Sequence, residues 1–304
     1  MKTKTMLVVF ISLLWVSSSY AVLDTGGNRS ISARVDALGG AFVGDASDIS
    51  SLMYNPGGAS QLKGQNIILT HQKIFGGMAQ FSYIGMGSYV APNRHIGFSY
   101  SRFEPSEDEL YPAKEQKLSF SYGQRLGNQL FWGATLRYIT TTENWIGGNA
   151  KGRGYGMDTG LVYHIVEKIK LGIAISDLIS SMSYSGRQGS DVFETRVTFG
   201  TSYKIDETAK IFLDIKDPFP FDNQIPKKSE NEKLKMSINI GVEKCVDEAI
   251  ALRAGYNGQE KKFTYGVGIV MGPWNVDYAY SPTKGDVLMS PDNPNRISIR
   301  MKLR

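Results

Sequence analysis

The chain has 304 residues, enough for one large domain or two small ones, and its 34 basic and 29 acidic residues give a formal net charge of +5. So mild a charge, without any basic run, gives no support for nucleic-acid binding. A single cysteine, Cys245, excludes an internal disulfide and a cysteine-based metal cluster. Abundant glycine, at 33 residues, together with 16 tyrosines and 14 phenylalanines, suits a barrel with an apolar outer face and a polar lumen.

Residues 1–21 have the pattern of a cleaved signal peptide. Lys2 and Lys4 precede an apolar core, Met6–Val16, and Ser19 and Ala21 place small residues at positions −3 and −1 of a cleavage site. This core is too short to cross a bilayer as a helix, which takes about 20 residues. We therefore expect cleavage after Ala21.

Residues 22–63 form the segment that we call the hatch, and they lack the alternation of a strand. Two helical turns are predicted, Ile31–Leu38 and Ile49–Tyr54, the first ended by glycines and the second by Asn55–Gly58. Asp45 and Asp48 precede the second turn, where a side-chain oxygen can cap free N–H groups. A cation site is the alternative for these two aspartates, but a hard cation needs six or more oxygen ligands.

From residue 64 to 304 the chain is predicted to consist of strands with period-two alternation. Most candidates have 9–13 residues, which is long for a soluble strand and close to the tilted span of a bilayer. The fourteen candidates are Gln65–Phe75, Met78–Ala91, His95–Phe103, Gln116–Leu126, Gln129–Thr142, Gly154–Ile165, Lys168–Leu178, Phe193–Ile205, Lys210–Asp217, Lys233–Lys244, Ala249–Asn257, Lys261–Met271, Trp274–Pro282 and Arg296–Arg304.

The connections support a barrel over a sandwich. Tight turns such as Gly127-Asn128 alternate with longer links such as Glu104–Glu115, Glu143–Arg153 and Ile179–Val192. Short turns on one side and long loops on the other are typical of bacterial outer-membrane barrels, which also have an even number of strands. The predicted fold class is therefore all-β, a transmembrane antiparallel barrel of about 14 strands with a short helical hatch. The short turns are expected on the periplasmic side.

The alternation also assigns the two faces of the strands. Apolar and aromatic residues are predicted to face lipid, among them Leu136, Ile238 and Tyr278, because a cation at mid-bilayer costs about 2–4 kcal/mol. The charged residues predicted to line the lumen are Arg137, Asp158, Arg196, Lys235, Arg253 and Asp277. Two interpretations stay open for this set, a basic constriction that selects anionic head groups and a salt-bridge network that makes the barrel rigid.

Two groups of segments carry a resemblance to a known family. Leu38–Val43, Asp45, Asp48 and Tyr54–Ala59 resemble the N-terminal signature of the PorV/PorQ family of FadL-like outer-membrane barrels. The segments similar to the closing strands of that family are Ile250–Asn257, Gly272–Tyr280 and Asn295–Ser298. The resemblance brackets nearly the whole mature chain and implies a fourteen-stranded barrel with a hatch in its mouth. The chain departs from the usual aromatic end of such barrels, since it finishes with Leu303 and Arg304.

The resemblance implies an outer-membrane location and two functions. PorV-like proteins serve export by the type IX system, so secreted cargo or secretion-system proteins are expected partners besides outer-membrane lipid. FadL-like barrels pass hydrophobic small molecules, and Ile84 and Met86 are assigned to the inward face as part of an apolar pocket. A structural barrel without cargo is the third alternative. The export role is preferred here and uptake is the alternative.

No catalytic, cofactor or metal site is predicted. His71, His95 and His164 fall on three different strands, whereas an acid, a base and a nucleophile should converge in one pocket. The protein is therefore expected not to be an enzyme. Asn55, Pro56, Gly57 and Gly58 are the candidate hinge of the hatch, and an ordinary turn that leads into the first strand is the alternative.

Overall fold

The computed structural model describes residues 31–74, 79–105, 113–145, 148–185, 190–218, 236–282 and 295–303. The predicted signal peptide and Lys235 lie outside the described residues. The strands are β1 (Gln65–Ile74), β2 (Ala79–Ala91), β3 (Arg94–Pro105), β4 (Ala113–Arg125), β5 (Leu130–Trp145), β6 (Gly148–Val166), β7 (Ile169–Tyr184), β8 (Ser190–Asp191), β9 (Arg196–Lys204), β10 (Ala209–Lys216), β11 (Ser237–Cys245), β12 (Ile250–Asn257), β13 (Lys262–Met271), β14 (Trp274–Tyr280) and β15 (Asn295–Leu303).

These strands form a closed antiparallel barrel, which confirms the predicted fold class. Each strand pairs with its neighbours in the chain, and β1 pairs with β15 from Gln65↔Leu303 to His71↔Ile297, so that the sheet has no free edge. The two-residue β8 pairs only with β7 and does not take part in the wall, in which β9 follows β7 directly. Fourteen strands therefore make the barrel, the number that the sequence predicts.

The outer face is apolar and the inner face polar, because successive side chains of a strand point to opposite faces. Along β5, Leu136 is 56% exposed and Tyr138 is 50% exposed, whereas Thr135 and Arg137 are buried. Phe263 on β13 is 63% exposed. An apolar exterior of this extent belongs in hydrocarbon rather than in water. None of the described helices is long and apolar enough to cross a membrane.

Three neighbouring strands are longer than predicted. The predicted loop Glu143–Arg153 is largely strand, since β5 and β6 continue to pair from Glu143↔Ala150 to Trp145↔Gly148. The predicted loop Ile179–Val192 is wrong in the same way, because β7 runs on to Tyr184 against β6. The prediction ended these strands at Thr142, Gly154 and Leu178, but beyond the apolar belt a barrel strand can extend with polar residues on both faces.

The hatch lies inside the barrel. Its helices are α1 (Ala33–Ala37) and α2 (Ser51–Tyr54), followed by a 3-10 helix, Pro56–Gln61. The predicted turns are thus confirmed in place but are shorter. Helix α1 lies against β12 to β15, and the 3-10 helix lies against β3 to β6. The largest buried side chains of the hatch are Ile31, Val35, Leu38 and Phe42.

Candidate functional site: the hatch and the lumen cavity

Arg34 of α1 joins the hatch to the barrel wall. Its Nε and Nη2 atoms each donate to a different carboxylate oxygen of Glu243 on β11, both at 2.9 Å. Its Nη1 atom donates to Asp48 at 2.7 Å, and Arg34 and Glu243 are both buried. A two-bonded arginine–carboxylate pair is directional as well as strong, so it fixes the position of α1 against the wall.

Asp48 extends this contact into a network of six charged groups, three arginines and three carboxylates, on one side of the lumen. Arg300 of β15 donates to Asp48 at 2.7 Å and to Asp277 at 2.8 Å. Arg253 of β12 links Asp277, at 2.9 Å, to Glu243. Every carboxylate of the network faces at least two arginines, which is what buried charges require.

The two predicted capping aspartates have different environments. Asp48 accepts from the backbone N–H of Ser50 at 2.8 Å, next to α2, besides binding its two arginines. Asp45 receives Lys170 at 3.1 Å and Arg34 at 3.5 Å. Burial by itself would raise the pKa of Asp45, but the charges of Lys170, Lys210 and Arg34 outweigh it and hold that pKa well below its usual value. Both carboxylates are therefore ionised at neutral pH.

The candidate hinge Asn55–Gly58 is fastened to the wall. The side-chain nitrogen of Asn55 donates to the carbonyl oxygens of Val43, at 2.9 Å, and Leu161, at 3.0 Å. Its oxygen accepts from Gly57 N at 3.1 Å and so begins the 3-10 helix. A hinge function for this segment stays a prediction.

The structure brings the predicted lumen residues together in pairs. Arg137 binds Asp158 at 2.7 Å and Asp177 at 2.6 Å. Arg253 binds Asp277, as described, and Arg196 binds Asp217 at 2.7 Å. These three groups lie on different parts of the wall. A selective role for the set stays a prediction, while the pairing is the arrangement that the salt-bridge interpretation requires.

Several functional partners were missed in the sequence. Glu243 lies on the inward register predicted for Lys235, and Arg300 alternates with apolar residues of the last strand, so the alternation could have found both. Arg34 lies on no strand. Its partner is 209 residues away, and nothing local in the sequence indicates the contact.

Above the hatch, toward the longer connections, the lumen contains a cavity of about 100 Å³. Its floor is apolar and comes from the hatch, with Val43, Leu52, Met53 and Tyr54. Its walls are mostly polar and include Tyr83 of β2. The cavity is thus lined by both bodies, the hatch below and the barrel around.

Tyr83 also contributes to a second cavity, of about 510 Å³, on the bilayer-facing surface. This outer cavity is mainly apolar, with Leu69, Ile84, Ile297 and Ile299 among its residues. Tyr83, which is buried, is thus a residue of both the lumen cavity and the outer cavity.

The assignment of Ile84 and Met86 to the inward face is wrong. Both point outward and are 38% and 46% exposed, while Phe81 and Tyr83 are buried inside. The inward register of β2 carries aromatic residues and then glycines, because Tyr83 and Ile68 fill the space at Gly85, and His95 and Ile49 of the hatch fill it at Gly87. The polar signal that identifies an inner face is therefore missing on this strand.

Within the ranges that the structure describes, no group of three or more histidine, cysteine, aspartate or glutamate residues is arranged to hold a metal ion. The acidic side chains of the hatch face arginine and lysine instead.

Comparisons with known proteins place the fold. No protein-family model matches the chain, and no curated protein is similar to it in sequence. Among solved structures, it is similar to the toluene transporter TbuX of Ralstonia pickettii, with 12% identity over 89% of this chain and 97% of that chain and a TM-score of 0.65. It is also similar to CymD, a monoaromatic hydrocarbon channel, with 13% identity over 90% and 98% of the two chains and a TM-score of 0.67.

A FadL homologue of Pseudomonas aeruginosa has 11% identity over 92% of this chain and 100% of that chain, with a TM-score of 0.60. At these identities the comparisons show the fold alone. That fold is a FadL-like fourteen-stranded transmembrane barrel, as the resemblance in the sequence implies; the narrower PorV/PorQ assignment has no support from them.

Proposed function

We propose that this protein is an outer-membrane channel that passes small apolar molecules from its lumen sideways into the bilayer. The apolar exterior supports a membrane location, and two proteins of the same fold are described as a toluene transporter and a monoaromatic hydrocarbon channel. The proposal prefers uptake over the export role. The division into a signal peptide, the hatch at 22–63 and the barrel at 64–304 belongs to the same proposal.

The position of Tyr83 is the observation that carries the proposal. Tyr83 is the residue shared by the lumen cavity and the outer cavity, and the latter is lined mainly by apolar groups. Gly85, two residues along on the same face, has no side chain, and a Cβ there would lie 2.8 Å from the Tyr83 hydroxyl. The Tyr83 ring therefore covers the wall on the lumen side at Gly85. A molecule that leaves the lumen here does not have to pass the hatch.

The experiment exchanges Tyr83 for alanine and measures the initial uptake of radiolabelled toluene by a Gram-negative host that produces the protein. Tyr83→Ala should raise the rate several-fold over the unchanged protein, because it removes the ring shared by the two cavities, and Tyr83→Trp should lower it. Tyr138→Ala is the matched control, since Tyr138 is outward-facing and borders neither cavity. Equal uptake by the Tyr83→Ala and Tyr138→Ala proteins would refute the route.

The role in type IX export remains a prediction of the sequence resemblance. Mild detergent extraction followed by native mass spectrometry tests it directly. A stoichiometric secreted protein bound to the barrel would support export and count against the channel as the main function.

A further inference from the structure

We propose that the lumen cavity above the hatch binds a small hydroxylated carboxylate, of the sugar-acid class. This inference rests on the proposed channel, because it assigns the lumen as the place where a solute is held. It goes beyond that function by naming a polar solute, which neither hydrocarbon channel of the same fold is described as passing.

The walls of the cavity are rich in hydroxyl groups. Six serine and threonine side chains line it, contributed by β3, β4, β5, β7 and β9: Ser99, Ser101, Ser119, Thr135, Ser176 and Thr198. A hydroxyl both donates and accepts hydrogen bonds, so such a wall matches a solute that carries hydroxyl groups of its own. Thr135 already bonds Ser121 and the carbonyl oxygen of Leu52. A hydrocarbon at this position would offer no hydrogen-bond partner to the other hydroxyls, at a cost in affinity.

The cationic side chains of the cavity indicate that the solute is an anion. Lys117, Arg137, Arg196 and Lys216 line the cavity, against two carboxylates, Asp158 and Asp217. Three of the four cations are engaged within the wall: Arg137 by Asp158 and Asp177, Arg196 by Asp217, and Lys117 with Glu115 at 3.8 Å.

Among the described residues that line the cavity, Lys216 is the one cation that is not engaged in this way. Its ammonium group makes no ion pair or hydrogen bond with another described side chain, and it lies beside Gly40 of the hatch. Three acids act on its charge, Asp214, Asp217 and Glu260, and one carboxylate oxygen each of Asp214 and Asp217 has no partner among the described residues, but none of the three acids forms a hydrogen bond or ion pair with Lys216. Asp214 accepts the backbone N–H groups of Phe42 and Val43, at 2.9 and 3.0 Å, and Asp217 holds Arg196. Lys216 can therefore donate to a carboxylate placed in the cavity.

The aromatic and apolar groups of the cavity complete its fit to a sugar acid. Tyr54 and Tyr83 both border the cavity, together with Leu52 and Met53. The carbon face of a sugar ring packs on such aromatic and apolar groups, while its hydroxyls and its carboxylate turn to the walls. An apolar floor, a hydroxyl wall and one uncommitted ammonium group together define a sugar acid better than a hydrocarbon or an inorganic anion.

The test is equilibrium dialysis of the purified full-length protein in detergent, with radiolabelled glucuronate and, separately, glucose. These two sugars differ mainly in the carboxylate. The unchanged protein should bind glucuronate at one site and at least about tenfold more tightly than glucose, as is usual for a hydrogen bond to a charged group. Lys216→Met should abolish this preference, and Lys216→Arg should keep most of it.

Lys244→Met is the matched control, because Lys244 is an exposed lysine in β11 and does not line the cavity. Each variant is first shown to be folded by its heat-dependent migration on a detergent gel. Equal binding of glucuronate and glucose would overturn the inference, and so would a preference that survives Lys216→Met.

Toluene uptake by the same protein separates the two proposals. Uptake without a glucuronate site would refute only the sugar-acid inference, and a Lys216-dependent site without toluene uptake would refute only the apolar route.

Discussion

A single side chain, that of Arg34, makes several of the bonds that attach the hatch to the barrel wall. It is buried between α1 and the wall, and its planar guanidinium binds Glu243 with two nitrogens while the third reaches Asp48. Burial disfavours its charge, but Glu243 and Asp48 outweigh this effect and raise its pKa further. A lysine has one ammonium group and no such fork, so it cannot replace these contacts one for one.

Arg34→Met should loosen the hatch. Removing one partner of a buried ion pair leaves uncompensated charge and costs about 3–5 kcal/mol. We expect single-channel conductance in planar bilayers to rise, with more frequent openings, while the barrel stays folded. Arg102→Met is the control, because the pair of Arg102 with Glu104 is exposed and such pairs contribute about 0–1 kcal/mol. Unchanged conductance in Arg34→Met would show that the hatch is held by other contacts.

The face to which a side chain points was predictable from the sequence where one face of a strand meets lipid and the other meets water or charge. Leu136, Ile238 and Tyr278 alternate with polar residues, and the first two are clearly exposed. Ile84 was misassigned because the inner face of β2 is not polar, and Arg34 was missed because its partners are brought near only by closure of the barrel.

Hatch and wall also approach each other very closely at two glycines of the wall. At Gly133 on β5 an added Cβ would collide with the carbonyl oxygen of Pro56, and at Gly160 on β6 it would collide with the side-chain oxygen of Asn55. Neither contact can yield easily, since Pro56 lies in the 3-10 helix and Asn55 is held by its own hydrogen bonds. Glycine is therefore needed at both places for close approach.

Gly133→Ala should displace the 3-10 helix without opening the barrel ladder. The expected result is faster proteolysis within residues 55–61 of the protein in detergent and a lower midpoint of thermal unfolding. Gly127→Ala is the control, because Gly127 has a positive φ of 148° and therefore tests backbone strain, but nothing lies within 4 Å of its Cβ position. Equal proteolysis of the two variants would contradict the role of Gly133 in seating the hatch.

The elements themselves were largely predictable, because period-two alternation survives wherever lipid covers one face. The count of fourteen and the antiparallel order follow from that pattern and from the tight turns. The ends of β5, β6 and β7 were not predictable, since beyond the bilayer either face of a strand can carry polar residues. Glu143 and Asn144, for example, read equally as strand or loop. The predicted helices were too long because the wall packs closely around them.

The hatch depends on the barrel for its folded position, whereas the barrel should close without the hatch. The hatch is held on one side by the charges of β11 to β15 and on the other by the close contacts of β5 and β6. The barrel closes through the ladder between β1 and β15, to which the hatch adds side-chain bonds only, such as Ala33 N to Ser298 at 3.1 Å. The ladder should therefore form without the hatch, whereas the hatch has no core of its own.

Deletion of residues 31–62 tests this dependence. We expect a folded barrel that still shows heat-dependent migration on a detergent gel, because every wall strand keeps both of its neighbours. Its conductance should rise well above that of Arg34→Met, since the deletion removes the floor of the lumen as well as its attachment. The midpoint of thermal unfolding should fall, because Glu243 loses Arg34, Asp214 loses the N–H donors of Phe42 and Val43, and Arg300 loses Asp48. A deletion protein that no longer migrates differently when heated would mean that the hatch is required to form the barrel, and the two could not then be regarded as separate units.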